Sequence, residues 1–434
     1  MIERIYFLLS GDRSLPHAPE LDPHTRRAIP ANFLRYLGSH VLTKLGDALV
    51  NPKTTLTWLL GALAAPGWLI GLLVPGREAL SMLLQFAVAG WVHAASRRKW
   101  VWVLGSLLQA IAVLGMAAAV LVLAPGPAAC AVVALLALFA LARSLSSIAS
   151  KDVLGRILPK RRRGRATGWA ASGAGAITLV AGGVALWTSP DELGVAVLAA
   201  ILAGAAGLWG LAAMWFATIE EPLDRSHESG QPAPGRPLQR LGLIGRDPLL
   251  RRFILSRALM LCSALSAPYY LMIAQRGGGG TALLLAFIIA ASAAGLLGGP
   301  VWGRFADRSS LLVMVAAVTG SAVLGLTVAA ASQSGAAWTH SPMAMAAAFF
   351  LLSLAHEGVR TGRKTYIVNI ASGEHRTDYV AVSNSAMGLA LLLVGAGAAA
   401  LADRSLELAL AVLAAAGLAG ALLGRELPEA EKIE

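Results

Sequence analysis

A chain of 434 residues that is 56% hydrophobic and only 14% charged cannot hide its apolar surface from water by folding as an ordinary globule, so a soluble class is excluded and an integral membrane protein is expected. The net charge of +12 would suit a nucleic-acid partner, but Lys and Arg are scattered between apolar runs, not gathered in one aromatic-interleaved domain. Cys130 and Cys262 both lie inside apolar runs; with neither a disulfide framework nor a metal motif, they read as small hydrophobes.

From the N-terminus, Ile5 to Ser10 is too short for a signal h-region and Gly11 to Pro30 is polar and proline-rich. Residues 1–38 are therefore expected to be a cytoplasmic lead-in with one interfacial turn at its start. A spanning helix needs about 20 mostly apolar residues. That length parses the remainder into 40–61, 68–92, 100–123, 128–150, 166–188, 194–217, 252–274, 281–302, 310–332, 342–362, 379–401 and 406–424, which makes twelve spans. The first and tenth carry several charges, so their ends are the least defined.

Lys and Arg crowd the connections 93–99, 151–165, 218–252, 303–308 and 360–376, whereas the alternate connections hold only Arg276 and Arg404. That asymmetry places both termini on the cytoplasmic side. The connection from Glu220 to Arg251 is rich in Pro, Gly, Ser and charge and reads as a linker. The expected organisation is a lead-in (1–38), a six-helix bundle (39–218), a linker (219–251), a second bundle (252–425) and a tail (426–434). At an offset of 213, Lys44 aligns with Arg257, Gly90 with Gly303, Lys151 with Lys364, Arg163 with Arg376 and Gly182 with Gly395, which supports two related halves.

The turn Gly303-Arg304-Phe305-Ala306-Asp307-Arg308 follows the eighth span. A glycine there would let two helix ends approach, and the acid and base would form a charged latch. Its G-x-x-x-D-R spacing resembles the signature of the major facilitator superfamily, which lies between the second and third helix of each six-helix half. The resemblance implies an all-α membrane protein with 12 transmembrane helices in two pseudo-symmetric six-helix bundles that rock about a midplane site. It also implies gating by the fourth-to-fifth connection, here Asp152 and Arg156, alongside Gly303, Asp307 and Arg308. This chain departs from the pattern in two places. Ala94 and Ala95 stand where Asp307 and Arg308 stand in the second half, and the fifth span lacks the Gly-Pro pair of drug antiporters.

Ionisable groups cost several kcal/mol in hydrocarbon and face protein or water. The first, fourth, seventh and tenth spans carry Lys44, Asp47 and Lys53; Arg143; Arg257; and His356, Glu357 and Arg360. The third, sixth, ninth and twelfth are read as uncharged, so every third helix lines a polar interior. Lys44, Asp47 and Asn51 share one helix face, as do His356, Arg360 and Lys364. The substrate-binding set is thus Lys44, Asn51, Arg143, Arg257, His356 and Arg360, and the candidate ion-coupling carboxylates are Asp47, Glu357 and Glu78. Arg77 and Glu78 are adjacent and must pair with different helices, Arg77 either closing the outer side or forming a static salt bridge. Lys151, Arg163, Arg363 and Lys364 read as helix-end cations that snorkel to headgroups.

His17 and Asp22 match an H-x-x-x-x-D spacing without a surrounding fold, Gly277 to Gly280 lacks the Lys-Ser/Thr of a phosphate loop, and no metal-ligand spacing occurs. No enzyme and no cofactor is expected. The resulting expectation is a monomeric secondary transporter of a bacterial inner membrane, moving a small organic anion or anionic amphiphile with proton coupling. It would contact membrane lipids and no nucleic acid. The alternatives are a non-transporting scaffold or assembly factor on the same fold and an exporter of neutral or cationic compounds.

Overall fold

The computed structural model describes residues 2–10, 23–188, 194–223, 242–278, 280–306, 308–370 and 376–429. Among them no strand occurs, and ten helical segments, Pro248–Gln275 taken as one, are long and apolar enough to cross a membrane by length and composition. The first half comprises α1 (Ile2–Ser10), α2 (Pro23–Leu49), α3 (Thr55–Ala62), α4 (Gly67–Gly71), α5 (Leu73–Ala94), α6 (Arg98–Val122), α7 (Pro125–Ile157), α8 (Lys160–Thr188) and α9 (Val195–Ala217). The second comprises α10 (Gly242–Arg246), α11 (Pro248–Leu259), α12 (Cys262–Leu265), α13 (Ala267–Gln275), α14 (Gly280–Ala306), α15 (Ser310–Gln333), α16 (Pro342–Ile370), α17 (Arg376–Ala402) and α18 (Leu406–Arg425).

Several helix starts are specified locally. Asp247 accepts from the Leu249 and Leu250 amides at 2.8 and 3.1 Å ahead of Pro248, satisfying donors that α11 would otherwise leave open. Ser309 and Ser405 cap α15 and α18 in the same way. Large apolar side chains such as Ile111, Val180, Trp187 and Leu393 stand fully outward, which suits hydrocarbon and not water.

The first span differs most from its expected bounds. Its helix starts at Pro23, well before residue 40, so the end of the proposed lead-in is helical, and it breaks after Leu49 instead of running on. Asn51-Pro52 is the cause: Pro52 has no amide to donate, and Asn51 before it is steered out of the helical region. Asn51 Oδ1 accepts from the Lys53 amide at 2.9 Å, closing the break before α3 begins. The seventh span is likewise divided into α11, α12 and α13, the last opening near Pro268. At the other extreme, α7 runs through Ile157 and α8 starts at Lys160, so Lys151, Asp152 and Arg156 lie on a helix and not in a long basic loop. Arg163 satisfies the end of α7 by donating to the Leu158 and Gly155 carbonyls at 2.9 and 2.5 Å. The twelfth span is not uncharged: Glu407, in the first turn of α18, accepts from Ser332 and Ser405 and pairs with Arg276.

In the first half α6 packs between α7 and α9, and α2 lies against α8 and α9; in the second, α14, α15 and α16 pack together with α18 beyond them. The halves meet where α8 packs on α14 and where α4 and α5 pack on α17. The fifth and second spans thus each oppose one partner, the eighth and eleventh. A third apolar cluster closes one end of the bundle, where Tyr6 of α1 meets Phe33 edge-on at 5.3 Å and Trp169 donates to the Leu9 carbonyl at 2.9 Å.

Candidate functional site

The break in the first span delivers Asp47 to the middle of the bundle, and two guanidiniums converge on one of its oxygens. Arg143 Nη1 of α7 lies 2.5 Å away and Arg77 Nη2 of α5 lies 2.7 Å away. Arg77 is buried, stands over the Phe139 ring at 5.2 Å and also donates to the Val50 carbonyl freed by the helix break, at 3.4 Å. Arg77 thus ties the first and second spans in this structure. Glu78, one residue on, lines a space shared with Lys53 of the first span and Arg363 of α16. Among the described residues no ion pair holds Glu78.

Between the halves lies a cavity of about 360 Å³, lined on one side by Lys44, Asp47, Asn51, Lys53 and Arg143 and on the other by Ala291, Ser292, Gly295 and Arg360. Lys44 is exposed into it and makes no hydrogen bond among the described residues, and the Arg143 and Arg360 side chains are 39% and 48% exposed. A cation left this open is available to a solute. The cavity continues as a second space of about 460 Å³ toward Lys151 and Lys364, at the end of the bundle that carries α1.

One wall of that passage was not anticipated. Tyr36, His40 and Lys44 recur every four residues along one face of α2. His40 Nδ1 lies 2.9 Å from the Tyr36 carbonyl, which can only accept, so the ring donates there; its Nε2 lies 2.8 Å from Ser150 Oγ, itself 3.1 Å from the Tyr36 hydroxyl. The spacing was the available signal, hidden by reading residues 1–38 as a lead-in.

In the second half an enclosed space of about 150 Å³ is lined by Arg257, His356, Glu357, Arg360 and Arg363 together with Lys53 and Glu78. Arg257 is buried and donates to Ser383 Oγ at 2.5 Å and to Asn384 Oδ1 at 3.2 Å on α17. His356 Nδ1 is hydrogen-bonded to Ser263 Oγ at 3.1 Å. Glu357 pairs with Arg360 at 2.5 Å, and a Cβ at Gly298 would lie 2.6 Å from that of Glu357, so glycine lets α14 and α16 touch there. Arg363 lines this space and is not a simple headgroup-seeking cation. The structure thus brings all six candidate binding residues and all three candidate carboxylates to connected spaces.

The end remote from α1 is shut. A Cβ at Gly61 of α3 would lie 2.9 Å from the Gln275 amide of α13, and one at Gly71 of α4 would lie 2.8 Å from Ala399 of α17. At the open end Asp152 lies 3.5 Å from Arg98, and Lys99 Nζ donates to the Ala217 and Ile219 carbonyls, capping α9. Glu221 accepts from the Arg98 and Lys99 amides at 3.1 and 2.8 Å, with Arg156 acting on it electrostatically. Burial pushes its carboxyl above the ordinary value, against the opposing pull of those two amides. A Cβ at Gly303 would meet open space, so among the described residues no close approach depends on that glycine, and Arg308 is exposed. Asp307, like His17 and Asp22, lies outside the described residues.

The model of the Major Facilitator Superfamily matches residues 37–339. Among curated proteins none matches the sequence. Among solved structures, the D-xylose–proton symporter is 13% identical with a TM-score of 0.69, over 92% of this chain and 98% of that one. The xylose transporter XylE from E. coli in an inward-open conformation gives 14% and 0.68, over 92% and 97%. The nucleoside transporter NupG gives 14% and 0.65, over 92% and 100%. Such low identities show a shared fold and nothing finer.

Proposed function

The chain belongs to the major facilitator superfamily, and from that premise we propose that it is a proton-coupled secondary transporter whose solute is a small organic anion. Membership of that family supports a multi-pass membrane transporter over an enzyme, and the solute and the coupling are our reading. One observation carries it: Lys44, Lys53, Arg77, Arg143 and Arg360 line the cavity between the halves against Asp47 and Glu78, so cations outnumber acids there even though Arg143 and Arg77 share Asp47 and Arg360 pairs with Glu357. A site with cations to spare favours an anion and repels a cation.

Alternating access would have residues 39–218 and 252–425 rock as two bodies about this cavity, joined by the linker 219–251, within one monomer of a bacterial inner membrane. The Lys and Arg bias supports cytoplasmic termini, so the open end of the cavity faces inward. We assign proton exchange to Glu78, the cavity carboxylate without an ion pair among the described residues. Proteoliposomes preloaded with propionate, benzoate, choline or xylose and assayed for counterflow test the reading. Exchange of the carboxylates, lost in Lys44→Ala and Arg360→Ala, supports it; exchange confined to choline or xylose contradicts it.

A further inference from the structure

Arg257 presents an electrostatic problem that the chain does not solve by itself. Its side chain is only 6% exposed, its hydrogen-bond partners are a neutral hydroxyl and a neutral amide, and its Nε is buried with no partner. The charge that acts most strongly on it is another cation, Arg363. Arg363 in turn makes no hydrogen bond or ion pair among the described residues, and its Nε is also buried without a partner. Two guanidiniums line one small space, and among the described residues no carboxylate is ion-paired with either; Glu78 and Glu357 act on Arg363 from across the space, no acid acts on Arg257, and desolvation disfavours that arrangement unless an anion enters.

The enclosed space has the dimensions for one. At about 150 Å³ it equals roughly five water-sized volumes. Lys53, Arg257, Arg360 and Arg363 line it against Glu78 and Glu357, an excess of two positive charges. These donors come from the first, seventh and tenth spans and converge from different directions, whereas a planar carboxylate is filled by one guanidinium fork. Lys53, Glu78 and Arg360 also line the larger cavity, where Ala171, Ala174, Ala291 and Gly295 offer an uncharged wall to an organic remainder.

We propose that this space is a subsite for a dianionic tetrahedral oxyanion, so that the transported anion is an organic phosphate monoester with its phosphoryl group between Arg257 and Arg363. This deepens the anion reading and rests on it. The matched probes are ethyl phosphate, a dianion above about pH 6, and propionate, a monoanion of similar tail. Binding is measured on the purified full chain in lipid-free detergent. At pH 7.5 ethyl phosphate binds at least tenfold more tightly than propionate, and Arg257→Gln and Arg363→Gln each reduce that ratio at least tenfold. Arg363→Gln removes no hydrogen bond made in the described structure, so it keeps the test decisive if Arg257→Gln fails to fold.

Equal affinity of the two probes, or an unchanged ratio in both variants, overturns the subsite while leaving a monoanion transporter intact. Failure of both probes to bind overturns the anion reading itself. Inorganic phosphate and dioctanoyl phosphatidic acid separate the possible sources of the oxyanion: competition by inorganic phosphate supports a soluble solute, and competition by the lipid alone assigns the space to a headgroup and overturns the proposal.

Discussion

Asp47 and Arg143 join the first and fourth spans through a 2.5 Å contact, and Arg77 holds the same carboxylate oxygen from the second span at 2.7 Å. Three helices of one half are thus fastened at the depth where the first span breaks. Asp47 is a counter-ion before it is anything else, and the cavity's remaining charge is cationic.

Asp47→Asn leaves Arg77 buried with only neutral partners, and breaking such an ion pair typically costs about 3–5 kcal/mol. Thermal unfolding in detergent should show a large loss for Asp47→Asn, partly recovered in the double variant Asp47→Asn/Arg77→Met. Equal stability of wild type and the single variant would show that the trio does not hold the helices.

How much of this was legible in sequence varies with the kind of signal. Apolar length located nearly all the spans, and the periodic recurrence of charge on every third span pointed to Lys44, Arg143, Arg257 and Arg360. Who pairs with whom was not legible, because Arg77 reaches Asp47 across 30 positions and Arg257 reaches Ser383 across 126. The break at Asn51-Pro52 was readable in principle, but a proline in a membrane helix can kink it without dividing it. Gly303 carried an argument from a motif that its surroundings do not need, whereas Gly298, with no motif, permits the contact with Glu357.

Coupling should separate two of the cavity carboxylates. Glu78→Gln is expected to abolish proton-driven accumulation while keeping solute exchange, whereas Asp47→Asn should lose both. Full proton-driven accumulation by Glu78→Gln would remove it from the coupling step.

The shut end depends on small residues. Gly61→Leu would drive a side chain into Gln275 and should wedge the halves apart there. Labelling of a cysteine introduced at Ala402 by a membrane-impermeant maleimide should rise several-fold; unchanged labelling would mean that Gly61 does not contribute to the seal.

Glu221 gives a pH signature outside the membrane. Its carboxyl is raised above the ordinary 4.5 by burial, so the folded chain holds that proton more tightly than the unfolded one. Its contribution is therefore most favourable below that ordinary value and is lost as pH rises through the raised one. Glu221→Gln should flatten this part of the melting-temperature profile, and parallel profiles for variant and wild type would contradict the assignment.

The central claim is that the exposed cations of the cavity select an anionic solute. Its most direct measurement is counterflow of a charge-matched pair, propionate and propylammonium, in proteoliposomes of the wild type and of Lys44→Ala, Arg143→Ala and Arg360→Ala. The account predicts exchange of propionate alone, reduced at least tenfold in each variant while the proteins remain folded. Exchange of propylammonium by the wild type, or propionate exchange unaffected by all three substitutions, would contradict it.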